Sequence, residues 1–277
     1  MSLNKNKIVN IIFYLSCMFS FVYAENSSFH SSIFFGFDSN PLRLSNNEIS
    51  QIDLYPSILG SASRVESPIL GFKFKIKHNY AKKKIKLSFN IKAAYYSTSS
   101  SKNHYNFSLN LKKSLGSYRY FIFDYFLMPN FYLREYEDRD LFICEDDIDN
   151  CSISDLQLLS SYFSIEKIRM SIIMPIQSKI SSIRLGLLHE RQVFDQNFTE
   201  FDLRLVGPVI EYKKKYNKYN FTILFEGLIA DNYTYLDNSF STMYMDRSYT
   251  QQRYKIAVEK KYFSKKKFGF IVDIFNR

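Results

Sequence analysis

Tryptophan is absent, cysteine occurs three times, and 277 residues hold only 8 Gly and 6 Pro. So little Gly and Pro excludes a collagen-like or Pro-rich chain. No apolar run beyond residue 24 reaches the roughly 18 residues that a spanning helix needs, which excludes a helical membrane bundle. A Gly-rich phosphate loop, a His-Glu-x-x-His motif and a Cys cluster are all missing, so the nucleotide and zinc chemistries they mark have no support. Abundance lies elsewhere, in 27 Phe, 22 Tyr and 37 Lys+Arg against 27 Asp+Glu, for a formal charge of +10. With 46% hydrophobic residues this is the composition of a folded chain and not of a disordered one.

The first segment reads as an address. Lys5 and Lys7 precede the apolar run from Ile8 to Val22, and Val22-Tyr23-Ala24 puts a small residue at a cut site, the three parts of a secretory signal. Residues 1–24 are therefore expected to be a cleaved signal peptide and 25–277 a single mature domain. The alternative, lipidation at Cys17, lacks the small aliphatic residue such a site prefers three positions earlier. Cys144 and Cys151 then remain as an even pair seven positions apart in an oxidising compartment, where a disulfide is the natural expectation. Zinc would need further ligands nearby, and neither His nor another Cys supplies them.

Period two runs through the mature chain. Phe72, Phe74 and Ile76 alternate with Lys73, Lys75 and Lys77; Ile85, Leu87, Phe89 and Ile91 with Lys86, Ser88, Asn90 and Lys92; Tyr105, Phe107, Leu109 and Leu111 with Asn106, Ser108, Asn110 and Lys112. Successive side chains of an extended strand point to opposite faces, so each segment has one apolar and one polar face. Tight polar turns at 81–84, 116–117, 177–179, 213–218 and 263–266 alternate with longer stretches at 97–104, 135–155, 192–200 and 231–252. An up-and-down barrel with one trimmed and one decorated rim produces that order.

A soluble barrel or sandwich would turn the apolar face inward, and a transmembrane barrel turns it out to lipid. Segments of about 10 to 13 residues exceed the usual soluble strand and match the roughly 9 to 11 tilted residues that cross a bilayer. Tyr80, Tyr105, Tyr118, Tyr212, Tyr219 and Tyr262 fall where strands meet turns, as interfacial girdles require. The expectation is an all-β, antiparallel up-and-down transmembrane β-barrel in the outer membrane of a Gram-negative-type bacterium.

About 12 strands are expected, within a range of 10 to 14: 27–37, 50–59, 69–80, 85–96, 105–115, 118–134, 156–175, 180–191, 200–212, 219–230, 251–262 and 267–275. With a periplasmic N-terminus that count puts the tight turns outside, against the usual arrangement. Either 50–59 belongs to a large first loop or a long segment such as 156–175 hides a second crossing.

Two short motifs add a resemblance. Phe35-Gly36-Phe37-Asp38-Ser39-Asn40-Pro41 resembles the Gly-aromatic-Asp-Ser/Asp-Asn signature near the first strand of bacterial outer-membrane β-barrels, including the barrel part of surface lipoprotein assembly modifiers. Their helical-repeat domain is missing here. Gly36, Asp38, Asn40 and Pro41 also have a purely structural explanation, since Asp and Asn side chains set turns and Pro fixes φ. Lys267 to Ile274 is similar to the C-terminal signal by which the barrel assembly machinery recognises its substrates, which implies that machinery as a partner.

Function is read from the polar face. Lys73, Lys75, Lys77, Lys86, Lys92 and Lys112 all lie opposite the apolar rows, so a wet lumen would attract anions. The expected function is a small porin-like channel with weak anion preference; the alternatives are a non-conducting barrel whose loops serve adhesion or assembly, and a lipid-modifying hydrolase built on His30, His78, His104 or His189. The loop 135–155 holds Glu145, Asp146, Asp147 and Asp149 around the Cys pair and is expected to be a solvated acidic loop, with loop-bound Ca²⁺ as the other reading and no resident cofactor. Expected partners are outer-membrane lipids and lipopolysaccharide. Nucleic acid is not expected, because a secreted chain rarely meets it and the Lys alternate with apolar positions.

Overall fold

A computed structural model of the chain describes residues 26–137, 158–177, 180–234, 239–240, 247–261 and 267–277. The wall runs through β1 (Ser27–Asp38), β2 (Ser67–Tyr80), β3 (Ile85–Tyr96), β4 (His104–Gly116), β5 (Arg119–Glu137) and β6 (Leu158–Gln177). It continues through β7 (Ser181–Phe194), β8 (Leu203–Tyr216), β9 (Tyr219–Thr234), β11 (Tyr249–Lys261) and β12 (Lys267–Asn276). The two-residue β10 (Ser239–Phe240) pairs only with β9. These eleven long strands form one up-and-down antiparallel sheet in sequence order, with β1 and β12 as its edges and with no ladder between those two among the described residues. No helix among the described residues is long and apolar enough to cross a membrane.

The polar face of this sheet is concave. Arg184 on β7 bonds Asp124 on β5, and Arg169 on β6 bonds Glu226 on β9, so the pairs reach over the strands between them on that face. The apolar rows turn the other way. Phe35 is 83% exposed, Ile33 66%, Leu187 64%, Ile229 60% and Phe268 71%, with Phe72, Ile223 and Ile256 beside them. A soluble fold would bury these rows and expose the charges; here greasy side chains cover the outside and ion pairs such as Arg184–Asp124 and Arg169–Glu226 sit within, the orientation of a transmembrane barrel. Tyr95 and Tyr105 mark the long-loop rim of the outer face, and Tyr216 and Tyr219 the short-turn rim.

Residues 50–59 are not a strand, which corrects the expected count to eleven long strands. Ser45 caps a short helix, α1 (Asn46–Gln51): its hydroxyl accepts from the Glu48 N–H, and the Glu48 carboxylate accepts from the Ser45 N–H. Pro56 then opens a single 3₁₀ turn to Leu59. The apparent alternation of Ile52 and Ile58 is loop packing against a cluster of Leu42, Leu44, Ala62 and Tyr132. β6 is one strand and hides no second crossing. With 50–59 in the first loop, every tight turn lies at the end where β1 begins and every long connection at the other, and the topological conflict disappears.

Two local devices fix the wall. Phe34 lies opposite Gly71, and its ring occupies the space where a side chain at 71 would stand, since a Cβ there would come within 1.9 Å of the ring. On β7 to β9 the concave face also carries an apolar patch of Leu188, Leu205, Val209, Leu228 and Ala230, all 3% exposed or less. Burying the Leu and Val side chains stabilises by about 1.5 to 3 kcal/mol each, so this flank of the interior is packed like a core.

Candidate functional site

The concave face of β2, β3 and β4 carries all six lysines expected to line the interior. Pairing brings them into register: Lys73 lies directly opposite Lys92, and Lys86 directly opposite Lys112. Lys75 faces Asn90 and Lys77 faces Ser88. β1 adds Ser28, His30 and Ser32 to this face, and β4 itself adds Asn106, Ser108 and Asn110. None of the six has a carboxylate at ion-pair distance among the described residues. Asp124 on the adjoining β5 is already engaged, by the Asn110 amide and by Arg184 at 2.8 Å.

Aromatic rings partly replace the missing carboxylates. The Lys112 ammonium lies 3.8 Å from the centre of the Tyr120 ring, and the Lys92 ammonium 5.3 Å from that of Phe34. A ring face attracts a cation without neutralising it, so the positive field of the wall stays available. At the short-turn end a cavity of about 490 Å³ opens onto Lys75, Lys77, Lys86 and Lys112, with Ser28, Ser88 and Asn110 among its walls. No acid lines it.

The opposite flank is compensated. Lys167 pairs with Glu190 at 2.6 Å, Arg169 with Glu226 at 3.2 Å and Arg253 with Asp273 at 2.7 Å. Lys167, Glu190, Glu226, Arg253 and Asp273 share a cavity of about 450 Å³ that holds both signs in near balance. Arg184, Glu211, Glu226 and Glu259 lie on the concave face, whereas Arg204 lies on the outer one, paired with Asp231.

The first-loop motif has a mechanical role in the structure. Asp38 accepts from the Asn40 N–H at 3.0 Å; Asn40 in turn accepts from the Leu44 N–H and donates to the Leu44 carbonyl, at 2.9 and 2.7 Å. That clamp holds residues 40–44 as a tight loop and delivers Pro41, Leu42 and Leu44 into burial. Gly36 faces Ile69 across the β1–β2 ladder.

Close by lies Lys102, unmarked by any sequence pattern and 3% exposed. Its ammonium donates to the carbonyls of Tyr132 and Leu133 at 3.0 and 2.6 Å and sits beside the rings of Phe131 and Tyr132. Burial, with Arg43 adding like-charge repulsion against the attraction of Asp38, pushes its pKa down to about 8. Hydrogen bonds from Ser45 and the cation of Arg134 at 3.0 Å hold the Glu48 carboxyl below its usual range.

The four His do not converge. His30 and His104 lie on the concave face near opposite ends of the wall, while His78 and His189 fall on outer-face positions. His78 is bonded to the Ser27 hydroxyl, and His104 to the Lys102 carbonyl. Above His104 a band of rings, Phe131, Phe163, Phe194 and Phe201, runs along the concave face at the long-loop end with neighbouring centroids 5.3 to 5.5 Å apart. Residues 1–24, Tyr262, the Cys144–Cys151 pair and the acidic residues Glu145, Asp146, Asp147 and Asp149 lie outside the described residues.

No family model matches the chain, and no curated protein does. Among solved structures it is similar to LpxR from Salmonella typhimurium, at 11% identity and a TM-score of 0.28, over 89% of this chain and 99% of that one. That likeness is too slight to transfer any property.

Proposed function

We propose that this protein is an outer-membrane channel of porin type, inserted by the barrel assembly machinery among outer-membrane lipids and lipopolysaccharide, whose interior favours small anions. One observation carries the reading: a transmembrane wall presents six lysines on its concave face without a single carboxylate partner among the described residues, while the facing flank is charge-compensated. A water-filled interior with one uncompensated sign raises the local concentration of the opposite ion and lowers its barrier to entry. Cations kept for structure alone would carry acidic partners, as Lys167 on β6 and Arg253 on β11 do.

Planar-bilayer recording tests it. Stepwise currents are expected, with a reversal potential in a KCl gradient displaced toward that of chloride. Exchanging Lys75, Lys77 and Lys86 for Glu moves the reversal potential across zero toward cation preference. A bilayer that stays silent after insertion of folded protein overturns the channel and favours a barrel whose loops serve adhesion or assembly.

A further inference from the structure

We infer that the short-turn half of the interior holds a specific site for a condensed phosphate, a soluble anion carrying two or more linked phosphate groups. The inference deepens the channel reading by naming the class of solute.

The argument starts from a conflict in the ladder. Like charges placed directly opposite each other across two strands destabilise a sheet, and here it happens twice, at Lys73–Lys92 and Lys86–Lys112. Neither pair has a carboxylate at ion-pair distance among the described residues, and the rings beside Lys92 and Lys112 attract these cations without neutralising them. Elsewhere on the same face the chain supplies partners for Lys167 and Arg253, whereas on β2–β4 it supplies none among the described residues. Repulsion retained among lysines that border one shared cavity is relieved by an anionic occupant.

Geometry narrows the occupant. Lys75 and Lys77 are two residues apart on one face of β2, about 7 Å along the strand, and directly paired residues on neighbouring strands lie about 5 Å apart. Lys75, Lys77, Lys86 and Lys112 border one cavity of about 490 Å³, so four flexible ammonium groups converge on a volume far larger than a chloride ion needs. Interspersed Ser28, Ser88, Asn79 and Asn110 can donate further hydrogen bonds to oxygen. Several cations with hydroxyl and amide donors around a compact volume suit adjacent phosphates, which spread negative charge over many acceptor oxygens; a monovalent halide uses one or two of these groups at a time. The place within the wall argues against a lipid headgroup as the source, because the cavity lies on the concave face and the acyl-facing rows on the other.

Calorimetric titration of the folded full-length barrel in detergent with pyrophosphate tests the site, with orthophosphate and chloride as comparison anions. Expected is saturable binding near one per barrel, at least tenfold tighter than orthophosphate, together with a higher unfolding temperature in pyrophosphate. The triple variant Lys75→Gln, Lys77→Gln, Lys112→Gln weakens binding at least tenfold, while Lys113→Gln, one residue away on the exposed outer face, leaves it unchanged. The triple variant removes repulsion, so it is expected to fold, and heat-modifiable migration in gels verifies that. Equal affinity in triple variant and wild type, or no saturable binding to the wild type, overturns the site. Pyrophosphate binding with a silent bilayer leaves the site standing and removes the channel; anion-selective current without pyrophosphate binding does the reverse.

Discussion

The two flanks of one concave surface, β2–β4 and β6–β12, solve the same physical problem differently. Both carry cations facing an interior shielded by an apolar exterior. On β6–β12 Arg169 is answered by Glu226, Lys167 by Glu190 and Arg253 by Asp273. On β2–β4 six ammonium groups are answered only by rings, hydroxyls and amides. Paired charge is spent within the protein; unpaired charge projects its field outward. The compensated flank therefore reads as scaffold and the other as working surface, and stability is expected to respond in opposite directions when each is altered.

The largest effect is expected from breaking compensation. Glu226→Leu strands Arg169 beside a buried carboxylate site, and loss of one partner of such a pair costs about 4 kcal/mol. Urea unfolding of the variant in detergent should show a large drop in midpoint; an unchanged midpoint would mean that the pair contributes nothing to the scaffold.

Lys102 sharpens the contrast, being a cation held without a carboxylate yet fully enclosed by carbonyls and rings. Its folded pKa of about 8 lies below the ordinary lysine value, so the unfolded chain binds the proton more tightly. Stability should be level below pH 8, rise by roughly 3 kcal/mol as the pH climbs to the unfolded value, and level again above it. Lys102→Met should abolish that rise. If wild type and variant show parallel pH profiles, enclosure of this ammonium is not what sets the slope.

The smallest effect is the most discriminating. Lys73→Gln removes one member of a directly opposed like-charge pair and should raise stability by about 0.5 kcal/mol, measured as a small upward shift in the same unfolding midpoint. A fall would show that Lys73 has an internal role which the ladder does not reveal.

Much of the wall was legible in the chain because alternation maps directly onto faces: Phe72, Phe74 and Ile76 stand outside, and Lys73, Lys75 and Lys77 inside, as period two requires. Residues 52–58 showed the limit of that rule, since Ile52, Leu54, Pro56 and Ile58 alternate without being extended. Ser45 and Glu48, spaced as a capping box, were the local signal that a helix begins there. Lysine placement was legible, but its lack of partners was not, because a partner such as Asp124 for Arg184 depends on register and curvature across three strands. Lys102 left no trace at all: a single cation in a polar loop becomes buried only when Leu42 and Leu44 fold the first loop against Tyr132.

The notch at Gly71 bears on how the wall comes together. A slip of β1 by two residues would keep inside and outside correct, so the greasy and polar rows alone do not forbid it. It would, however, set the Phe34 ring against Ile69 or Lys73, neither of which leaves the room that a glycine does. One ring and one missing methyl thus act as a key and keyway, admitting the leading strand in a single alignment when the chain zips up beside the bilayer.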